Sequence, residues 1–360
     1  MAKIISIARA LPENCLKQSE IFHFMKDAYG LSTDDTRKLK FLYEHSGIET
    51  RYSVVKDYAG RDGERSFIPV EKDADFPSLE KRMELFDKDA VLLSKRAIEQ
   101  CIESYIGPNE ITHLITVSCT GMSAPGLDLQ LMNEMKLLPN IFRTSVNFMG
   151  CYAAIHALKL AKMICDSTPN ANVVIVCTEL CTLHFQKEFS EDNAASGLLF
   201  ADGCAAVLVS NRIQSEKALS LRGFYSHVAQ EGKSDMAWQL NSKGFLMTLS
   251  SYVPQIIGED ITSLVEAAAA HNQLAVSDIT HWCIHPGGKR ILDVIQKQLA
   301  LPVDALRYSR EVLRQYGNMS SPTVLFVLQD IMNNLSDLPS KILGMAFGPG
   351  LTMETFIAER

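Results

Sequence analysis

The stretch ITHWCIHPGGKRILD, residues 279–293, opens with four residues that nearly repeat ITHL at 111–114. Position 279 against 111 is an offset of 168. Nearly the same offset carries Gly150-Cys151 onto Gly317-Asn318, and each pair precedes a helical pattern, YAAIHALKLAKMI in one half and SSPTVLFVLQDIM in the other. The strand-like run at Val173 falls on Lys341-Ile342-Leu343 by the same shift. Three matches in near register mark an internal duplication. Two copies of one βα unit must pack face to face to share a core. Cys151 and Asn318 are then equivalent points, both expected at helix N-termini beside the shared seam.

Around these landmarks, apolar β-branched runs (HLITVS, NVVIVC, AAVLVS) alternate with helical patterns, the signature of a layered α/β fold. The N-terminal part opens with a strand around Ile4–Ala8, passes a charge-rich loop around Lys56–Asp75, and reaches a long amphipathic helix from an N-cap at Ser78 to about Glu103. A chain of 360 residues is long enough for two such halves. The net charge of −7 favours neither nucleic acid nor an anionic membrane surface, so an anionic ligand needs a local cationic patch. No segment approaches the roughly 20 apolar residues of a membrane span, and MAKIISIARALP is too short for a signal peptide. The nine cysteines form no C-x-x-C pair, and Cys177 and Cys181 lack partners for a zinc site. Their odd number points to reduced thiols and a cytoplasmic protein.

Three positions carry chemistry. Gly150 permits a sharp turn before Cys151, and Ala153 and Ala154 leave the first helical turn uncluttered. A thiol at a helix N-terminus is pushed toward thiolate. His285 ends an apolar strand before Pro286-Gly287-Gly288, a turn that places it toward a cleft. Asn318, in YGNMSSP, reads alone as a helix N-cap, and its duplicate relation to Cys151 argues for more. The FGPG loop at 347–350 lets backbone approach a ligand but has no phosphate-loop spacing. No G-x-G-x-x-G opens a helix after the first strand, which removes a dehydrogenase reading.

Together GCYAAIHALKLAK, HPGGKRILD, YGNMSS and FGPGLTMET resemble the type III polyketide synthases, relatives of chalcone synthase among the thiolase-fold condensing enzymes. The likeness runs from about residue 3 to the end. It implies an α/β thiolase fold of duplicated five-layer αβαβα architecture, divided into halves at 1–212 and 213–360, and a homodimer. It implies a catalytic triad of Cys151, His285 and Asn318. Thiolate Cys151, paired with imidazolium His285, would take an acyl starter from acyl-CoA. His285 and Asn318 would then stabilise the enolate left when malonyl-CoA loses CO₂. No metal or redox cofactor is required; the coenzyme A thioesters are substrates, with carrier-protein thioesters as alternative donors. Cyclisation to a pyrone, resorcinol or similar product would follow.

The resemblance also places substrate-binding residues. Phe200 falls at a cavity gate; Cys119, His184, Ser320 and Gly287 at further cavity positions. Met247 replaces a second gating phenylalanine, and Trp238 stands where chalcone synthases have a small glycine, filling part of a plant-type pocket. Of three cations that receive the CoA phosphates in plant enzymes, Lys38 keeps one, while Phe41 and His45 replace two; Arg37 and Lys40 lie close enough in sequence to substitute. Ala124 stands where a methionine crosses to the partner subunit's cavity. The rival readings are a ketosynthase III-like enzyme making a single condensation, a non-catalytic thiolase-fold partner subunit, and a plain cysteine hydrolase. The intact triad argues against the second, and the duplicated Asn318 has no use in the third.

Overall fold

A computed structural model describes residues 1–59, 65, 67–69, 75–229, 235–250 and 252–360. The charge-rich loop expected at 56–75 lies largely outside these residues, apart from a 3₁₀ turn at Lys56–Ala59.

The duplication is written into the sheet. In the first half β1 (Lys3–Ala10), β7 (Asp202–Ser210), β6 (Asn172–Leu180), β4 (His113–Ser118) and β5 (Phe142–Asn147) lie side by side in that order. In the second half β8 (Leu219–Val228), β13 (Thr352–Glu359), β12 (Lys341–Gly348) and β11 (His281–Ile284) repeat the first four. Corresponding pairs keep their direction: β4 with β6 and β11 with β12 are parallel, the others antiparallel. The halves meet where β1 pairs with β8 through Lys3↔Ser220 and Ile4↔Leu219. A short pair, β2 (Asn14–Lys17) with β3 (Thr50–Ser53), and a hairpin, β9 (Met236–Asn241) with β10 (Gly244–Leu249), complete the strands.

Five layers follow from burial. Helices α5 (Ala153–Ser167) and α10 (Thr323–Asn333) lie between the two halves of the sheet, touching strands of both. Their apolar side chains join Ile4, Val207, Ile342 and Phe356 in one core. Residues 321–328 are all buried, as expected of a helix apolar on every face. A second core, under α1 (Gln18–Tyr29), α2 (Thr33–Glu44) and α3 (Leu79–Ile102), covers the outer face of the first half, with α4 (Leu127–Met135) beside α3. A third, under α7 (Val253–His271), α8 (Lys289–Gln298) and α9 (Arg307–Tyr316), covers that of the second. The long helix begins at its expected cap, Ser78, whose hydroxyl accepts from Lys81 N. The last helix, α6 (Glu191–Leu199), leads into β7 and flanks the site. No helix among the described residues is long and apolar enough to cross a membrane.

β5 closes one end of the sheet as an edge strand. Phe142, Arg143, Thr144 and Ser145 are all exposed there, Phe142 at 69%.

Candidate active site

A cleft of about 850 Å³ opens between the halves, and Cys151, His285 and Asn318 all line it. Each arrives on a turn that the sequence dictates. After β5 the chain turns through Phe148 and Gly150, both with positive φ. A Cβ on Gly150 would stand 2.2 Å from Pro349 Cδ, so this position needs glycine twice over. Its N–H donates to Cys119 Sγ at 3.0 Å. Cys151 occupies a 3₁₀ turn, Gly150–Tyr152, that runs straight into α5.

His285 ends β11, its N–H donating to Met345 O at 2.8 Å, and the Pro-Gly-Gly turn leads into α8 as expected. Asn318 departs from expectation. The residue at the N-cap of α10 is Pro322, so Asn318 lies four residues before the cap and is not a capping residue. Its Oδ1 instead accepts from Ser320 N at 2.8 Å, holding Ser320 in the left-handed region at φ +59°. Its Nδ2 donates to Gly287 O at 3.4 Å, which uses one of two amide hydrogens. The backbone of Asn318 is sewn to the other half: its N–H donates to Leu199 O, and its carbonyl accepts from Ala201 N, both at 2.9 Å. Phe200 is thereby fixed beside Asn318.

Burial works against the expected thiolate–imidazolium pair. It pushes the Cys151 thiol up to about 11, against hydrogen bonding from Ser320 and Asn318 that favours thiolate. It pushes His285 down to about 3, and neither ring nitrogen of His285 has a hydrogen-bond partner among the described residues. Burial thus favours the neutral thiol and the neutral imidazole, and the ring nitrogens are open to a ligand.

Glu179 adds to this field and was missed in the sequence. It is fully buried at the end of β6 and accepts from Cys119 N, Thr120 Oγ1 and Ser321 Oγ at 2.9, 2.8 and 2.8 Å. Burial raises its carboxyl to about 7. Its charge opposes that of Cys151 thiolate. A glutamate inside NVVIVCTEL, an otherwise apolar strand, was the signal that could have found it.

Of the substrate-binding residues expected, Lys38, Cys119, Phe200, Trp238, Met247, Gly287 and Ser320 line the cleft. His184 does not: it faces a smaller cavity behind the cleft. Its Nε2 donates to Thr120 O at 2.7 Å and its ring stacks on Phe245 at 4.3 Å, so it serves as a wall. Burial holds it neutral, near 3.

At the mouth, Arg37 and Lys40 pair with Asp34 and Glu44 on their own helix and do not line the cleft. The cations there are Lys38, Lys289 and Arg290. Lys289 bonds Asp293 at 2.6 Å, whereas Arg290 is exposed with no ion pair among the described residues. Phe41, at the same mouth, stacks on His45 at 4.1 Å.

Duplicated halves, a cysteine before the central helix of one and an asparagine before that of the other define a thiolase-fold condensing enzyme of the acyltransferase type. The profile of chalcone and stilbene synthases, N-terminal domain, matches residues 1–212, and that of the C-terminal domain matches residues 225–360. The chain belongs to the chalcone and stilbene synthase family, the type III polyketide synthases. Among solved structures it resembles PKS-I from the brown alga Ectocarpus siliculosus, with a TM-score of 0.92 and 26% identity, covering 100% of this chain and 98% of that one. It also resembles the C-terminal type III polyketide synthase domain of Steely1, a type I/III hybrid from Dictyostelium (TM-score 0.91, 26% identity, 100% and 99% covered). A curated relative, "Probable polyketide synthase 1" of Dictyostelium discoideum, is 27% identical over 359 residues, 98% of this chain. The chain spans 11% of that relative's length.

Proposed function

We propose that this chain loads an acyl starter on Cys151 and extends it with malonyl units by decarboxylative Claisen condensation. The observation that carries this reading is the meeting of Cys151, His285 and Asn318, from both halves, in one cleft. In loading, His285 acts as general base toward the Cys151 thiol. As Cys151 Sγ attacks the starter thioester carbonyl, His285 takes the thiol proton; the tetrahedral intermediate collapses and the departing thiolate recovers that proton. The malonyl thioester then loses CO₂, leaving an enolate whose oxygen accepts from Asn318 Nδ2 and His285. Its carbon attacks the Cys151 thioester, forming the new C–C bond and releasing Cys151. No metal or redox cofactor enters this scheme. Repetition and cyclisation to a pyrone or resorcinol complete the reading, with the halves divided at 212.

Trp238 and Met247 narrow the cleft, which favours a linear acyl starter over a phenylpropanoid. Lys38, Lys289 and Arg290 receive the phosphates of coenzyme A or of a carrier-bound pantetheine. The exposed edge of β5 suits pairing with a second copy in a homodimer, since an unpaired strand edge is a template for another strand. A cytoplasmic setting agrees with nine free cysteines.

The test is incubation with an acyl-CoA followed by peptide mapping. The acyl mass is expected on the peptide containing Cys151; label on Cys119 or Cys181 instead would sink the assignment.

A further inference from the structure

Four consecutive carbonyls close α6, and each accepts from a different element. The Tyr43 hydroxyl of α2 donates to Gly197 O at 3.2 Å, and Gln18 Nε2 of α1 to Leu198 O at 2.9 Å. Asn318 N donates to Leu199 O at 2.9 Å, and Arg51 Nη1 of β3 to Phe200 O. The last carbonyls of a helix have no partner within it, so donors of this kind decide where the helix end sits. The Arg51 guanidinium also complements the negative end of the helix dipole.

Arg51 joins these donors to one another. Its Nε donates to Gln18 Oε1 at 2.9 Å, and its fork also bonds the Tyr43 side chain. The guanidinium is buried, and Asp202, itself held by Val54 N, Thr182 N and Thr182 Oγ1, supplies an opposing charge. The methylene stem packs on the other half of the molecule: a Cβ on Gly317 would stand 2.8 Å from Arg51 Cδ. The chain around Arg51 is tied to the same place, with Glu49 N donating to Arg314 O at 2.8 Å and Thr50 Oγ1 to Gln315 O at 2.7 Å. Arg51 therefore holds both sides of the Phe200–Asn318 pairing, Phe200 O on one and Gly317 on the other.

We propose that Arg51 is a positioning residue for Asn318, fixing the amide that donates to the enolate oxygen when the malonyl thioester loses CO₂. The Asn318 side chain is oriented only by Ser320 N of its own turn and by the long bond to Gly287 O. Its place is therefore set by its backbone, which hangs on Leu199 O and Ala201 N. Moving the end of α6 moves the donor, and a misplacement of about 1 Å can cost on the order of 10²-fold in rate. Arginine suits the task because one rigid fork serves acceptors on three elements, whereas a lysine ammonium on its flexible stem cannot hold all three. Cys151 arrives on a separate turn, whose Gly150 N–H is held by Cys119 Sγ. The proposal rests on the condensing reading above, in which Asn318 serves decarboxylation and Cys151 serves loading.

The test separates the two partial reactions. In Arg51→Lys, kcat for malonyl-CoA decarboxylation should fall about 10- to 10²-fold with KM within about twofold. Acylation of Cys151 by an acyl-CoA, followed by intact mass, should stay within about threefold of wild type. The double variant Arg51→Lys/Asn318→Ala should decarboxylate no more slowly than Asn318→Ala alone, because Arg51 acts through the amide already removed. A further loss stacked on that of Asn318→Ala, a proportional fall in both partial reactions, or near-normal decarboxylation in Arg51→Lys would each overturn the inference. Should Arg51→Lys fail to fold, Tyr43→Phe decides, since it removes one partner of the fork and the donor to Gly197 O. It should show the same selective loss at about three- to tenfold, the worth of one hydrogen bond, and none in the Asn318→Ala background. Unchanged decarboxylation in Tyr43→Phe would then overturn the inference. A wild type that neither acylates Cys151 nor decarboxylates malonyl-CoA would overturn the condensing reading as well, so the two failures are distinguishable.

Discussion

Met247 lies directly opposite Trp238 across the hairpin of β9 and β10, and the two side chains share the wall between cleft and back cavity. Directly opposed residues project to the same face of a strand pair. The indole is also pinned: its Nε1–H donates to Cys119 O at 2.7 Å, and its ring meets His184 and Phe245 edge-on at 5.7 and 6.0 Å.

Trp238→Gly should therefore open the cleft to bulky starters. Because Trp238 is only half-buried, the loss of stability should stay below the roughly 3–5 kcal/mol of removing a core tryptophan. The comparison is kcat/KM for coumaroyl-CoA and medium-chain acyl-CoAs in wild type and variant. Coumaroyl-CoA should gain on the order of tenfold relative to the linear substrates. A wild type that already prefers coumaroyl-CoA would show that the indole does not block the pocket.

The protonation of Cys151 can be read by alkylation. With its thiol pushed up to about 11, roughly one molecule in ten thousand is thiolate at pH 7. Iodoacetamide labelling of the Cys151 peptide should therefore rise about tenfold per pH unit from 7 to 9. Glu179, near 7 itself, is mostly neutral at pH 6 and charged at pH 8–9, where it resists thiolate formation. Glu179→Gln should then accelerate labelling at pH 8–9 and change little at pH 6. A rate already level at pH 7 would mean that the thiol rests ionised.

Asn318 and Ser320 suggest a second kinetic test. Asn318→Ala removes the Nδ2 donor and frees Ser320 N from Oδ1. Loss of one oxyanion donor typically costs about 10²–10³ in rate, so malonyl decarboxylation should fall by that much while Cys151 acylation is largely kept. Asn318→Asp retains an acceptor for Ser320 N but not the donor, and should fail in the same step. Near-normal decarboxylation in Asn318→Asp would show that the asparagine only shapes the turn.

The duplication was legible because buried strands and central helices leave little freedom: His113 and His281 begin equivalent strands, and the runs after Cys151 and Asn318 become the two central helices. Cys151, His285 and Asn318 were legible through their turns and the family resemblance. What failed were properties set by distant parts of the chain. Asn318, which alone reads as a helix cap, lies four residues before the cap because the left-handed turn at Ser320 separates it from α10. The thiolate expected of Cys151 is opposed by the burial that both halves impose. His184 lines a cavity as expected, but its position along the chain does not reveal which side of the wall it faces. Of the mouth's cations, Lys38 on α2 was legible, whereas Arg37 and Lys40 lie outside the cleft and Lys289 and Arg290, in HPGGKR, came to the mouth only through the fold.

Arg290 provides the last prediction. It is an exposed cation at the cleft mouth, two residues after the Gly288 N-cap of α8, without an ion pair among the described residues. If it receives phosphate from the thioester donor, Arg290→Ala should raise KM for malonyl-CoA several-fold and leave kcat nearly unchanged, since the contact is the same in ground and transition states. The effect should shrink as salt rises from 0.05 to 0.5 M, where screening weakens exposed charges. N-acetylcysteamine thioesters carry no phosphate and should be used equally by wild type and variant. Lys289→Ala should cost less, because that ammonium is already held by Asp293 at 2.6 Å. An Arg290→Ala enzyme with unchanged KM for malonyl-CoA at low salt would remove this residue from donor binding.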